Sequence, residues 1–338
     1  MEVQPARRQR IWPAILTLYV LAAIIPECVA TYNTAPRSFL SNPALLFYET
    51  AFYGSANLLI REVMRRHPRG RVSFLLLGVA FGFVNEGILA GTWYNVVPGG
   101  YTLIGGVDWA WAVALTTFHT IYSVIVPILL VETLFPALAD RPWLKRRGFI
   151  GFGVLLALTT SLAFFAPTYR LARFLVLLAV IALAIIALLL PLASPLRRQR
   201  PGMLPGLARL RIAGVAGTIL FFCTITLVPA IGVHFIGPSR NNLAQVVYIV
   251  LILGVGIVLL NVAGRWSRRS GWGHPQTLAL ITGALLPGII LSLLLPQMWL
   301  AAQPAATLPC LVLLVWLTRR TRTQLPPVWE HPTLKLSE

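Results

Sequence analysis

The sequence has little charge for its length, and most of that charge is of one sign. Charged residues make up 11% of the 338 residues, and 28 Lys and Arg stand against 10 Asp and Glu. Soluble domains carry about 25% charged residues, so this composition excludes an ordinary soluble protein. The net charge of +18 falls in short clusters between apolar runs. Without an extended basic domain we expect no nucleic-acid partner, and the clusters indicate a membrane protein.

Cysteine and the common metal and phosphate motifs are also scarce. Cys28, Cys223 and Cys310 lie far apart in apolar segments and show no CxxC or Cys/His spacing. We therefore interpret all three as packing residues. The HExxH pattern is absent, and Gly105 and Gly106 lack the flanking strand and helix that a phosphate loop requires. The sequence thus predicts neither a metal nor a cofactor.

Long apolar runs are what the sequence has in abundance. Hydrophobic residues form 57% of the chain, and the mean hydropathy is +0.77. A helix that crosses a membrane needs about 20 apolar residues. The runs predict an all-α polytopic transmembrane helix bundle with about ten spans, at 11–30, 43–64, 72–92, 109–136, 149–166, 171–192, 210–230, 243–263, 276–295 and 300–318. The first run follows RRQR as in a signal sequence, but its length favours an uncleaved span.

The basic residues sort by side when RRQR is placed in the cytoplasm. Only four of the 28 then fall on the outer side, namely Arg37, Arg170, Arg173 and Arg240. This agrees with the positive-inside rule and predicts that both termini are cytoplasmic. We expect the protein in the bacterial cytoplasmic membrane, with membrane lipids as partners because basic edges attract anionic headgroups.

The acidic residues divide the chain unevenly. No acid occurs between Asp140 and Glu330, so the later spans contain no carboxylate. Ionisable residues inside a membrane are costly and usually functional. We therefore predict a polar half at 1–147 with the candidate site, an apolar scaffold at 148–322 and a cytoplasmic tail at 323–338.

Three ionisable residues on consecutive predicted spans lie in the outer half at comparable depth. A helical rise of about 1.5 Å per residue places Glu49, Glu86 and His119 there. Sequential helices are usually neighbours, so we predict one shared site. Glu86 and His119 are its candidate acid/base or proton pair, because a buried carboxyl and an imidazole can share a proton. The alternative is that the pair only holds helices together.

Polar residues around these three complete the predicted site. Thr116 and Ser123 share the helical face of His119. Gly82 and Ala90, one turn on either side of Glu86, permit close helix approach or leave space for a substrate. The residues after Gly91 form an aromatic outer loop, which serves either as a lid or as an interfacial belt. The predicted ligand-binding residues are Glu49, Tyr53, Asn85, Asn95, Thr116 and Ser123.

A second polar cluster lies at the inner side. Arg61 and Glu62 end the second predicted span, and Glu132 lies one turn inside the inner end of the fourth. We expect a structural ion pair between Arg61 and Glu132, because long arginine side chains reach the membrane interface easily. Pro127 is predicted to kink the fourth span.

Three segments carry a family resemblance: YETAFYGSANLLIREVMRR, GVAFGFVNEGILAGTWYN and FHTIYSVIVPILLVETLFP. They are similar to uncharacterised bacterial multi-pass membrane proteins with an acidic E-G motif followed by a histidine-bearing helix. That likeness implies no activity. The chain also distantly resembles the CAAX-protease and bacteriocin-processing family of intramembrane glutamate proteases. This second resemblance implies that Glu86 matches one of the paired glutamates and that His119 matches a motif histidine.

These features leave three functions open. The favoured hypothesis is an outward-opening Glu/His site that binds or transports a small polar solute, ion or lipid headgroup with proton coupling. The second, implied by the distant resemblance, is a membrane-embedded hydrolase or protease in which Glu86 activates water and His119 positions it. The third is a structural or assembly subunit of the membrane.

Overall fold

The computed structural model describes residues 10–30, 38–39, 41–66, 70–94, 103–165, 168–190, 203–236, 242–294 and 302–323. Within these ranges the chain forms ten long helices and no β-strand, so the predicted all-α class is confirmed. The helices are α1 Trp12–Val29, α2 Pro43–Arg66, α3 Arg71–Ala90, α4 Trp109–Leu134, α5 Arg146–Ser161, α6 Arg170–Leu189, α7 Leu207–Ile236, α8 Asn242–Trp266, α9 His274–Leu294 and α10 Ala302–Thr323.

The ten helices occupy the ten predicted positions, and the protein is a multi-pass membrane protein. Eight of them are long and apolar enough in their described residues to cross a membrane, while α2 and α10 fall outside this set. Helix α2 is less apolar because it carries polar residues such as Ser55 and Asn57, which are fully buried. These side chains face other helices, so the middle of α2 lies inside the bundle rather than against lipid.

Burial differs strongly between the early and the later helices. More than half of the most apolar stretch is buried in α1, α3 and α4, but only 6% of it in α5 and 11% in α6. Helices that are apolar on all sides and exposed in this way suit a lipid environment. The first four helices thus supply most of the interior, while the predicted division at residue 147 stays a prediction.

Glycines set two close helix crossings. A Cβ atom on Gly82 would lie 3.0 Å from the Cα of Thr116, so α3 and α4 approach closely there, as predicted. A Cβ on Gly283 of α9 would lie 2.1 Å from the carbonyl oxygen of Arg211 in α7. Small residues commonly let membrane helices approach in this way. The first crossing brings Glu86, one turn beyond Gly82, next to α4.

Three helices change from α-helical to π-helical geometry. The π-helical segments are π1 (Ile25–Val29) in α1, π2 (Phe83–Ala90) in α3 and π3 (His119–Ile125) in α4. Pro127 lies just after π3, where α4 returns to α-helical geometry. Since π-helical segments are rare and occur frequently at functional sites, their presence in three neighbouring helices marks this region.

Candidate functional site

Glu86 and His119 contact each other directly inside the bundle. Oε1 of Glu86 lies 2.6 Å from Nε2 of His119, and the two residues are only 6% and 4% exposed. On the other side of the ring, Nδ1 lies 2.7 Å from the Ser123 hydroxyl. A neutral imidazole donates from one nitrogen and accepts at the other, whereas a protonated one donates from both. The ring therefore links a carboxylate to a hydroxyl in either state.

The second oxygen of Glu86 is also occupied. The Thr92 hydroxyl donates to Oε2 of Glu86 at 2.5 Å. This contact arises because Gly91 ends π2 in a left-handed conformation, with φ of +65°, and the following turn Thr92–Tyr94 folds back over the helix end. Sequence analysis missed Thr92, although a glycine after an apolar helix is a recognisable signal for such a turn.

Asn85 connects this pair to α2. Its Nδ2 atom lies 3.1 Å from the Tyr53 hydroxyl, 3.1 Å from Oε1 of Glu86 and 3.0 Å from Nε2 of His119. An amide group has two N–H donors, so it serves at most two of these three groups at one time, and Nε2 accepts only when it carries no proton. Asn85 can thus redistribute its hydrogen bonds when the proton count of the pair changes.

The network continues from Tyr53 to α1. The Tyr53 hydroxyl, 1% exposed as a residue, donates to Oε1 of Glu27 at 2.6 Å. Glu27 lies in π1, and sequence analysis did not include it in the site. Its signal was present, because an acid within an apolar span is a functional candidate by default. Four helices, α1 to α4, therefore contribute to one hydrogen-bonded network.

All three π-helical segments supply members of this network. Glu27 comes from π1, Asn85 and Glu86 from π2, and His119 and Ser123 from π3. In the i→i+5 geometry of a π-helix each turn holds more residues than in an α-helix. The angle between successive side chains is therefore smaller. This lets two adjacent residues, Asn85 and Glu86, point at the same imidazole.

Asn57 fixes the position of π3 relative to α2. Pro127 has no N–H, so it cannot donate to the carbonyl of Ser123, four residues earlier. Nδ2 of Asn57 donates to that carbonyl instead, at 2.8 Å, and also to the carbonyl of Tyr53 at 2.9 Å. Asn57 is fully buried. Sequence analysis missed it because the pairing of an amide with a distant proline has no local signal.

Two of the predicted ligand-binding residues lie apart from this network, and a third lies outside the described residues. Glu49 is half-buried, within electrostatic range of Glu27 and Glu86, but forms no hydrogen bond among the described residues. The Thr116 hydroxyl also has no hydrogen-bond partner there, and Thr116 packs beneath Gly82. Asn95 lies outside the described residues.

The aromatic residues after Gly91 are packed inwards. Trp93 and Tyr94 are each 3% exposed and pack with Val176 of α6. The Tyr94 hydroxyl donates to the carbonyl of Gly87 at 2.8 Å. A belt residue would face the lipid interface, so the belt alternative is wrong for these two side chains. They cover the outer end of π2.

The expected ion pair is present in the inner cluster. Nε of Arg61 lies 3.1 Å from Oε1 of Glu132, and the guanidinium stacks 3.4 Å above the Trp143 ring. Arg61 is 1% exposed. It also donates to three backbone carbonyls that follow α4, at 3.0, 2.9 and 3.2 Å, those of Leu138, Ala139 and Arg141. This one side chain therefore anchors the inner end of α2 to the loop after α4.

Two neighbours of Arg61 complete the inner cluster. Arg65, which sequence analysis did not include, donates from both Nε and Nη2 to the carboxylate of Glu132. Glu62 is fully buried, lies 3.6 Å from Arg61 and accepts from the Trp143 backbone N–H at 2.5 Å. Apart from the contact between Arg61 and Glu62 within α2, these contacts join α2 to α4 and its following loop, as expected of a structural ion pair.

Comparison with known proteins identifies the family but no activity. The described residues contain no group of three or more His, Cys, Asp and Glu side chains placed to hold a metal ion. Searches of curated proteins and of solved structures find no match, and no comparison shows a link to the CAAX-protease and bacteriocin-processing family. One family model matches residues 16–326, which is most of the chain. The protein therefore belongs to the family described as an uncharacterized membrane protein family.

Proposed function

We propose that the network around Glu86 and His119 binds a small cation or cationic solute from the outer side and exchanges it for a proton. The 2.6 Å contact between the two side chains carries the proposal, because it places two proton-accepting groups together in a buried position. Intramembrane pairs of this kind recur in proton relays and transport sites.

The surrounding charges favour a cation as the ligand. The carboxylate of Glu49 lies within electrostatic range of those of Glu27 and Glu86, and one imidazole balances at most one of these three charges. A concentration of negative charge with low-dielectric walls attracts cations. The positive group facing the outer end of π2 is Arg173, which is buried near Gly91 and donates to a backbone carbonyl.

Exchange follows from charge balance within the pair. When His119 is protonated, Glu86 and His119 together are neutral. When a cation approaches Glu86, it replaces the positive charge of the imidazolium, so the imidazolium gives up one proton in exchange for the cation. Once His119 is neutral with its remaining proton on Nδ1, Nε2 becomes an acceptor, and Asn85 can turn a donor from Tyr53 to the imidazole. Binding of the cation and release of the proton are thus coupled through one carboxylate.

A membrane-embedded hydrolase is the second candidate. One observation favours it: hydroxyl, imidazole and carboxylate of Ser123, His119 and Glu86 follow one another at hydrogen-bond distances. One observation counts against it. Ser123 is fully buried, so its hydroxyl is not exposed to a peptide substrate.

The test uses purified protein reconstituted in liposomes with a trapped pH-sensitive dye. We expect external sodium, potassium or guanidinium to release protons from protein-containing vesicles, and Glu86→Gln and His119→Gln to abolish that release. Matched controls are Glu330→Gln in the tail and His274→Gln at the exposed start of α9. Release that persists in both site variants would refute the exchange.

Peptide cleavage and thermal stability, measured on the same native protein and variants, distinguish the remaining two functions. The hydrolase would be favoured if the native protein cleaves a membrane peptide, shows no cation-driven proton release, and loses the cleavage in both site variants. A structural subunit would be favoured if the native protein shows neither activity and the variants have lower thermal stability. We assign all three functions to the bacterial cytoplasmic membrane.

A further inference from the structure

We infer that the inner side of the bundle holds a binding site for one anionic phospholipid, with its headgroup between α2, α3 and α4 and an acyl chain between α4, α7, α8 and α9. Two adjoining cavities carry this inference. Neither is lined by Glu86 or His119, so the inference does not depend on the proposed cation exchange.

The headgroup cavity has a volume of about 540 Å³ and lies beside the inner ion-pair cluster. Three arginines line it, Arg61, Arg65 and Arg71, against two carboxylates, Glu132 and Asp140. The Asp140 side chain is 98% exposed, so solvent screens its charge, whereas Glu132 is almost fully buried beneath Arg61 and Arg65. The cavity therefore keeps a net positive character, which suits a phosphate diester.

The arginines at this cavity differ in how firmly they are held. Arg61 pairs with Glu132 and donates hydrogen bonds to backbone carbonyls. Arg71 is exposed at the start of α3 and donates to the carbonyl of Gly264 in α8. Basic pockets between membrane helices on the cytoplasmic side bind the headgroups of anionic lipids. Arg71 is the residue at the rim that meets such a headgroup first.

The second cavity is apolar and has a volume of about 230 Å³. Apolar cavities of about 150 Å³ accept benzene, so this one accepts several methylene groups of an acyl chain. Val262, one of its lining residues, is 37% exposed, so the cavity reaches the lipid-facing surface of α8. A lipid tail can therefore enter sideways from the bilayer.

The two cavities meet at one side chain and along one helix. Leu129 of α4 lines both of them. Gly264, which accepts from Arg71, directly follows Ala263, a lining residue of the apolar cavity. A charged cavity and an apolar cavity thus join at the level of the inner membrane surface. This continuity fits an amphiphile with an anionic head better than free phosphate, which would leave the apolar cavity unused.

Native mass spectrometry of the full-length protein in detergent tests the site. Phosphatidylglycerol and phosphatidylcholine with identical acyl chains are the two probes. We expect phosphatidylglycerol to bind more tightly, and Arg71→Gln to weaken it about fivefold, the factor for one basic residue near a membrane surface. Arg147→Gln removes the same charge from an exposed position at the start of α5 and should have no effect.

Two further variants test the acyl chain. Leu129→Trp fills the junction, and Ala263→Phe fills the apolar cavity from α8 if the first variant does not fold. Either should weaken phosphatidylglycerol binding while leaving thermal stability near that of the native protein. Equal binding of both lipids, equal losses in Arg71→Gln and Arg147→Gln, or complete displacement of lipid by inorganic phosphate would each overturn the inference.

Discussion

Replacing Arg61 is expected to destabilise the protein more than replacing any other inner-side arginine. Arg61→Met removes the guanidinium but keeps an apolar stem of similar length, so its effect reports on polar contacts rather than on lost volume. The side chain is 1% exposed, contacts Glu132 and Trp143, and donates to three carbonyls.

The expected magnitude follows from what the substitution leaves behind. Breaking a buried ion pair costs about 3–5 kcal/mol, mainly because one charge stays buried without compensation. Glu132 retains Arg65, which reduces that penalty. Three carbonyls lose a charged donor, however, and each buried group left unsatisfied costs about 1–3 kcal/mol. We therefore expect a loss of about 3–5 kcal/mol in the free energy of unfolding.

Reversible unfolding in mixed micelles, followed by tryptophan fluorescence, measures this loss. The matched control is Arg147→Met, which removes an exposed arginine at the start of α5. Surface substitutions change stability by about 0.5 kcal/mol or less, so the control should unfold close to the native protein. If Arg61→Met costs no more than Arg147→Met, the role of Arg61 as the anchor of α2 is refuted.

Three further predictions concern the outer network. A double-mutant cycle with Glu86→Gln and His119→Gln should give a coupling energy of about 1–2 kcal/mol in the same unfolding assay; additive effects would contradict the contact. Gly82→Val should cost about 1–3 kcal/mol by overpacking against Thr116, whereas Gly153→Val on exposed α5 should not. Asn57→Leu leaves the freed carbonyl of π3 unsatisfied, so thermal denaturation should show a loss of about 1–3 kcal/mol, with Asn261→Leu on α8 as the exposed control.

The number and position of the helices could be predicted because hydropathy can be summed residue by residue along the chain. Hydropathy and length reveal α6 immediately, since nearly all its side chains are apolar and few are buried. Helix α2 is the exception. Its apolar character is diluted by Ser55 and Asn57, whose partners lie on other helices. Its place inside the bundle can be recognised only once the helices that pack against it are known.

The candidate site could be predicted in part. The Glu86 and His119 contact followed from similar depth on adjacent helices. Tyr53, Asn85 and Ser123 around it were also predicted, but Thr116 was misplaced because the prediction assumed α-helical spacing throughout. Thr116 shares a face with His119 under that assumption, but α4 changes to π-helical geometry at His119. Ser123 therefore meets the imidazole while Thr116 packs beneath Gly82.

Helix α2 connects the two polar clusters. Tyr53, Asn57 and Arg61 follow at intervals of four residues, so they form one stripe along the helix. Tyr53 belongs to the outer network, Arg61 anchors the inner cluster, and Asn57 between them holds the carbonyl of Ser123. Any movement of π3 that accompanies a change of protonation at His119 must therefore change the Asn57 hydrogen bond, while the inner anchor keeps α2 in place. A substitution of Asn57 should therefore affect the movement of π3 without removing any contact to Glu86 or to the proposed ligand.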